Sequence, residues 1–392
     1  MKKYGLIITV LILVFSFCLP TFAENEANSA AEYEILRTDF DVESKSAVLM
    51  DAKTGTVLYE KNKNEAYSPA SVTKIMTILL VMEALDEGSA SLEDKITVSS
   101  YAASMGGSQV FLEEGEVMSV EELLKCAVIA SANDASVALA EHIAGSESAF
   151  VARMNARAGE LGMRDTVFMN ATGLDDTEEN LTSAVDIAIM SRELISHEKV
   201  LEYSSIWQDT IRDGEFTLTN TNRLVRYYDG CNGLKTGSTS KAGFCMSATA
   251  KRGDLQLIAV VMGAPTRDSR NSIARNLLDY GFASYALYTS PECELESAPV
   301  LGGCIQSAAL YGKGFSALVN KADLSRVEVK YDIPESISAP ISAGAAVGKI
   351  EFFISGVKLG ECDIFVKEEI SKIDFLEVYK RVIGEAILGK KS

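Results

Sequence analysis

Between residues 68 and 82 the chain places Val72, Ile75, Met76, Leu79, Leu80 and Met82 at mostly helical spacing behind a Ser68-Pro69 opening. A helix apolar over so much of its circumference has no solvent face of its own, so other elements must wall it in on more than one side. Ser68 is the expected N-cap and Pro69 the first-turn residue. At its head the same segment carries Ser71 and Lys74. Residues at i and i+3 share a helix face, so this hydroxyl and this amine can meet. An amine inside such a helix is costly to bury without a task. A serine is a weak nucleophile until a base takes its proton, and a lysine becomes such a base when desolvation or a nearby cation lowers its pKa.

A length of 392 residues with 47% hydrophobic content exceeds one ordinary domain and supports a real core, so two folded parts are expected. The formal charge of −18 argues against a nucleic-acid partner, which would be repelled. The only histidines are His142 and His197, and no HExxH or clustered His/Cys set appears, so neither a metal nor another cofactor is expected. Lys2 and Lys3, the apolar run from Leu6 to Leu19, Pro20 and the small residue Ala23 have the layout of a secretory signal, with 1–23 removed after Ala23. The protein is therefore expected to be exported. Six cysteines remain beyond Cys18. Disulfides are permitted there, but a chain this large does not need them, and none of the thiols has a histidine at a suggestive spacing.

Along the chain, Ala47–Met50 and Thr56–Tyr59 read as a strand pair around a turn at Asp51 to Gly55. Ser119-Val-Glu-Glu122 is a capping box. Helices are expected over Ser148 to Leu161, Thr182 to Ile195 and Asn271 to Phe282, and strands over Phe244 to Ala248 and Leu255 to Val261. Composition shifts near Ser290-Pro291. Beyond it Val327, Val329, Tyr331 and Ile333 alternate with polar residues, and Ile350 to Ile354 and Leu359 to Val366 flank a Ser355-Gly356 turn, which is the pattern of a small all-β domain.

Two further motifs carry chemistry. Ser131-Ala132-Asn133 falls at an expected break between helices, where its side chains either point into a cleft or cap the next helix. Lys235-Thr236-Gly237 precedes the strand at Phe244. There a lysine can fix an anion, a threonine can hydrogen-bond it, and a glycine lets substrate approach the backbone. Each motif has echoes: Ser-x-x-Lys recurs at Ser196–Lys199, Ser238–Lys241 and Ser355–Lys358, and Lys53-Thr54-Gly55 repeats the third motif inside the expected hairpin turn. Only the ordered set on these elements is distinctive.

That set resembles the three signatures of the penicillin-recognising serine enzymes. The chain is most similar to the low-molecular-mass penicillin-binding proteins, the serine D-alanyl-D-alanine carboxypeptidases. Tyr67-Ser-Pro-Ala-Ser71, Ala132-Asn-Asp-Ala135, Asn170-Ala-Thr-Gly-Leu174, Asn222-Arg-Leu224 and Gly233-Leu-Lys-Thr-Gly237 extend the likeness from about residue 33 to 372. The resemblance implies an α+β fold: a beta-lactamase/transpeptidase-like domain (24–285) with an antiparallel sheet flanked by helices, a small C-terminal β-sandwich domain (290–372) and a terminal amphipathic helix (373–392). It implies that Ser71 attacks the bond between two D-alanines of a peptidoglycan stem peptide. Lys74 takes its proton with help from Ser131, and the amides of Ser71 and Ser238 hold the oxyanion. Asn133 orients Lys74 and substrate, Lys235, Thr236 and Arg270 hold the terminal carboxylate, and Gly237 lets substrate approach the backbone. Beta-lactams would acylate Ser71 as inhibitors. Ser238 stands where some members have histidine, and Arg270 has neighbours Arg267 and Arg275.

In the tail, Phe375, Leu376, Tyr379, Val382, Ile383, Ala386 and Ile387 line one helical face, opposite Glu377, Lys380, Arg381 and Glu385, with Lys390-Lys391 following. Such a helix either lies in a membrane interface or docks on the protein. The family's habit implies an anchor on the outer face of the cytoplasmic membrane. A class A-type beta-lactamase shares the three motifs but wants a Glu-x-x-x-Asn base. Here Asp176…Asn180 has that spacing with Asp, and a lactamase lacks the β domain and tail.

Overall fold

A computed structural model of the chain describes residues 33–37, 40–174 and 179–388. The expected signal segment 1–23, residues 24–32, Asp176 and Lys390-Lys391 lie outside the described residues, as do the side chains of Arg381, Glu385, Ala386 and Ile387.

The centre is a five-stranded antiparallel sheet in the order Val57–Lys61, Ser46–Asp51, Leu255–Ala264, Gly243–Arg252, Cys231–Thr239. The expected hairpin and the two later strands are all in it. One face is covered by the helix Arg267–Ser284, with Ala274, Leu277 and Leu278 packed on Leu49, Leu257 and Ala259. The other face supports a larger core built around the helix Lys74–Asp86 and its neighbour Ala184–Leu194. Ten of the thirteen residues of Lys74–Asp86 are buried, which is the layered enclosure its composition demands. The capping box forms as expected, with Ser119 Oγ accepting from Glu122 N–H and Glu122 accepting from Ser119 N–H.

The helix Arg267–Ser284 leads directly into the strand Tyr285–Ser290, which pairs with Phe315–Asn320. This ribbon packs on a second, six-stranded sheet in the order Val327–Asp332, Ala346–Ile354, Val357–Val366, Ser307–Gly312, Cys293–Leu301, Ile337–Ser338. Phe352 is held between Phe315, stacked at 4.1 Å, and Tyr288 at 5.8 Å. The Ser355-Gly356 turn is present with φ of +52° and +83°, as a tight hairpin between twisted strands requires. Tyr331 is the exception to the expected alternation: it is exposed, because its strand is at the sheet edge.

The helix Phe375–Leu388 ends the described chain. Phe375, Leu376, Tyr379 and Val382 are all exposed on it. No helix among the described residues is long and apolar enough to cross a membrane.

Candidate active site

The head of the central helix differs from its sequence expectation. Ser68 is not an N-cap: Ala70–Thr73 forms a 3-10 turn without a side-chain cap, and the α-helix begins at Lys74. Ala70 has φ +49°, a left-handed conformation that alanine adopts only when its surroundings impose it. Two glycines from distant parts of the chain supply those surroundings. A Cβ on Gly173 would lie 1.9 Å from the Ala70 carbonyl oxygen. One on Gly237 would lie 2.7 Å from the Pro69 oxygen and 2.8 Å from the Ser71 nitrogen. Gly237 was expected to let substrate approach; here it lets its own strand approach the turn that carries Ser71.

Lys74 is completely buried, with Nζ 3.1 Å from Ser71 Oγ, 2.6 Å from Asn133 Oδ1 and 2.7 Å from the Thr172 carbonyl oxygen. Burial, and then the charge of Lys235, push its pKa well below the ordinary lysine value, against the opposing pull of Asp134. The three acceptors match the three N–H donors of an ammonium; once the amine is neutral, two N–H bonds stay on the carbonyl oxygens and its lone pair is left for the Ser71 hydroxyl to donate to.

The Thr172 carbonyl and Asp134 are partners that sequence reasoning missed. A backbone carbonyl has no letter of its own, but a signal was present: Asn170 opens an Asx-type turn, its Oδ1 accepting from the amides of Thr172 (3.1 Å) and Gly173 (2.7 Å). Asn180 is spent on this loop, bonding Thr73 Oγ1 and the Met169 amide. Asp134 is buried and accepts from the amides of Val110, Leu112 and Ala135.

Ser131 follows a π-helical turn, Cys126–Ala130, and has φ +62°. The next helix, Asn133–Ala144, has Ala132 at its N-cap with no side-chain bond. The capping alternative is thus not realised, and both polar side chains turn inward. Asn133 Nδ2 donates to the Gly106 carbonyl at 2.7 Å, fixing the Oδ1 toward Lys74. Ser131 Oγ accepts from Lys235 Nζ at 2.7 Å. The expected help from Ser131 to Lys74 has no direct bond among the described residues: Lys74 bonds Ser71, Asn133 and Thr172 instead.

Lys235-Thr236-Gly237 does not merely precede a strand; it lies within the edge strand Cys231–Thr239. Its two glycines and lack of apolar alternation hid this, since packing against the serine turn rather than a side-chain pattern specifies it. Lys235 is buried and also donates to the Thr236 carbonyl. Thr236 Oγ1 donates to Thr221 Oγ1. Burial first, then Arg270, lower the Lys235 pKa to about 7. Below that pH the folded protein keeps an ammonium out of water. Between about 7 and the ordinary 10.5 the folded lysine is neutral while the unfolded one is charged, so its burden falls as pH rises. Lys235→Met is expected to raise Tm by roughly 5 °C below pH 7, with the gain vanishing above the ordinary lysine pKa. Thermal denaturation across that range checks this.

Arg270 is a buried residue, not a solvated surface charge. Its helix starts at Arg267, not Asn271, because Thr266 and Ser269 form a capping box that the sequence reading passed over. Its guanidinium contacts Asn271 Oδ1 at 2.9 Å, and burial together with Arg267 pushes its pKa down to about 10. It forms no ion pair with a carboxylate among the described residues. A buried, unpaired guanidinium beside a lysine is a site waiting for an anion.

Ser71, Ser131, Thr236, Gly237, Ser238 and Arg270 line one cavity of about 170 Å³, joined by Arg267 and by Ser108 and Thr221, which sequence reasoning did not name. A larger cleft of about 440 Å³ along Lys53, Arg192 and Lys251 contains none of the motif residues. The echo motifs stay inert. Lys199, Lys241 and Lys358 pair with Glu202, Glu179 and Glu351 at the surface, and Thr54 is bonded to Asp51 in its turn. Among the described residues no cluster of three or more metal-binding side chains occurs.

Comparison with known proteins agrees with this geometry. Residues 29–266 match the family described as D-alanyl-D-alanine carboxypeptidase, and residues 294–372 match the penicillin-binding protein 5 C-terminal domain. The chain is 41% identical to the D-alanyl-D-alanine carboxypeptidase DacF of Bacillus subtilis, over 98% of this chain and 99% of that one. Penicillin-binding protein 5 of Haemophilus influenzae superposes with a TM-score of 0.73 at 30% identity, over 86% of this chain and 99% of that one. Penicillin-binding protein D2 of Listeria monocytogenes, solved in an ampicillin-bound form, superposes at 0.58 with 32% identity over 63% of this chain and all of that one. The serine turn gripped by two glycines, with a buried lysine beside it, thus sits in a chain that belongs to the serine D-alanyl-D-alanine carboxypeptidase family of penicillin-binding proteins.

Proposed function

We propose that Ser71 is the nucleophile of this carboxypeptidase and that Lys74 is its base. The observation that carries the assignment is Lys74, buried, bonded to two carbonyl oxygens and turned to Ser71 Oγ at 3.1 Å. The substrate is a peptidoglycan stem peptide ending in D-Ala-D-Ala, its carboxylate held by Arg270, Lys235 and Thr236. Ser71 Oγ bonds to the carbonyl carbon of the penultimate D-Ala while its proton passes to Lys74 Nζ. The oxyanion takes hydrogen bonds from the amides of Ser71 and Ser238, which the close approach of Gly237 to the serine turn supports. The C–N bond then breaks, its nitrogen receives the proton held on Lys74 by way of Ser131 while Lys235 stays charged on the carboxylate, and free D-Ala leaves with Lys74 neutral again. Water, deprotonated by Lys74, cleaves the ester and restores the hydroxyl. In a beta-lactam the broken amide is part of a ring, so the leaving nitrogen stays tethered beside the ester and the enzyme is inhibited.

The two lysines give the pH dependence. The base must be neutral, so activity rises with pH through the lowered Lys74 pKa. The anion-binding Lys235 must be charged, so activity falls as pH rises through about 7 in the free enzyme. The kcat/KM profile for a D-Ala-D-Ala peptide is expected to be a bell with that descending limb. The limb moves upward in kcat, because a bound carboxylate restores the Lys235 charge. The same position of the descending limb in both profiles would remove Lys235 from carboxylate binding. Mass spectrometry after benzylpenicillin treatment, with peptide mapping, tests the nucleophile: the adduct is expected on Ser71, and an adduct elsewhere overturns the assignment.

The proposal includes three parts in the mature chain: the peptidase over 24–285, the β-sandwich over 290–372 and an amphipathic anchor over 373–392. The exposed Phe375, Leu376, Tyr379 and Val382 support the anchor reading over docking on the protein. The enzyme then works outside the cytoplasm, peripheral on the outer face of the cytoplasmic membrane, after export by the 1–23 signal.

A further inference from the structure

Two uncharged segments of the β part lie beside the root of the terminal helix, where Gly303 also pairs with Lys372. Residues 297–312 and 336–348 contain no Asp, Glu, Lys or Arg, in a chain that is 23% charged. These two segments meet in space. Val300 and Leu301 pair in parallel with Ile337 and Ser338, and the Ala339 amide donates to the Leu301 carbonyl at 2.9 Å. Both segments are stitched to the root of the helix. The Cys304 amide donates to the Ser371 carbonyl at 3.0 Å, the Ile373 amide to the Gly302 carbonyl at 2.9 Å, and Ile341 bridges Ile370.

At the tip of the 301–305 loop, Leu301 and Ile305 are 57% and 41% exposed. Phe375 and Leu376, the first residues of the helix, are 85% and 60% exposed. The nearest charges in sequence are Glu368, Glu369 and Lys372 before the helix and Asp374 at its start. Exposed Lys372 and Asp374 border the loop and the helix start, and backbone hydrogen bonds tie the two together without an intervening linker.

We infer that the Leu301–Ile305 loop is a second lipid-contacting element, seated in the same bilayer interface as the terminal helix. This rests on the anchor reading of that helix. Absence of charge over both segments is what an interfacial surface requires, since a buried ion there would be costly, while exposed leucine and isoleucine gain by leaving water. Two contacts on one rigid end hold the β part upright on the membrane. A helix alone would let it swivel.

The test uses the mature chain and vesicles of phosphatidylcholine and phosphatidylglycerol in equal parts, read by co-sedimentation. Leu301→Glu with Ile305→Glu is expected to weaken binding about tenfold or more. Penicillin labelling is expected to stay unchanged and Tm nearly so, because both side chains are partly in water and outside the buried core. With brominated lipid, a tryptophan placed by Ile305→Trp is expected to be quenched, and one placed by Glu328→Trp on an exposed strand is not. Binding by the double variant equal to that of the unaltered chain overturns the inference and leaves the helix reading intact. Loss of self-association with unchanged vesicle binding assigns the patch to a second copy and likewise overturns it. The helix reading fails in a separate arm, if a chain ending at Ile373 binds vesicles as well as the full one.

Discussion

Ser71→Ala is expected to abolish covalent labelling by benzylpenicillin and to lower D-Ala release from a D-Ala-D-Ala peptide by at least about 10³-fold. The reason is that no neighbouring group can replace the lost oxygen. Ser131 Oγ is engaged by Lys235, and Ser108 and Ser238 line the cavity without a base beside them among the described bonds. Tm is expected to stay close to that of the unaltered chain or to rise slightly. Among the described residues the hydroxyl is bonded to Lys74, which keeps its two carbonyl acceptors when that hydroxyl is gone. Intact-mass measurement with a Tm reads both halves of the expectation. Persistent labelling in the alanine variant would move the nucleophile to another residue and dissolve the mechanism.

Gly173→Ala is expected to be the most damaging substitution that touches no chemical group. Its φ of +79° already disfavours a side chain, and the new methyl would lie 1.9 Å from the Ala70 oxygen and 2.9 Å from the Ser71 nitrogen. Backbone cannot give way there, because Ala70 is itself held in a left-handed conformation and Gly237 presses from the other side. A loss above about 4 kcal/mol follows, equal to a Tm drop of about 10 °C or more for a domain of this size. Penicillin labelling should fall with it, since the Thr172 carbonyl that orients Lys74 is the preceding peptide. Gly88→Ala separates strain from collision. Its φ is +71° with nothing within 4 Å, so it should cost only about 1–2 kcal/mol. Equal losses in the two variants would show that the grip on the serine turn is not what Gly173 provides.

Much of the fold was legible because its determinants are local or periodic. The central helix announced itself by apolar residues on every side, the capping box at Ser119 by spacing, and the hairpins by alternation around Gly-containing turns. Two of the misreadings share a cause. Ser68 looks like an N-cap, but the turn after it is shaped by Gly173 and Gly237, roughly one hundred and more residues away in sequence. The strand of Lys235 was missed because it is specified by that same contact and not by a hydrophobic pattern. The helix of Arg270 began a turn early because Thr266-x-x-Ser269 makes a less familiar capping box than Ser-x-x-Glu.

Taken by itself, the order of residues determined which groups are available: a hydroxyl and an amine one turn apart, a Ser-x-Asn after a helix break, a lysine, threonine and glycine ahead of the closing strands, and an arginine beyond them. Those are matters of covalent spacing, and spacing is what a sequence contains. Only the tertiary structure decided their charge states and partners. Whether Lys74 is a neutral base is set by how completely water is excluded and by the summed fields of Lys235 and Asp134, contributed by segments far apart along the chain. Desolvation and Coulomb interaction depend on distance in space, which folding creates and no local pattern records.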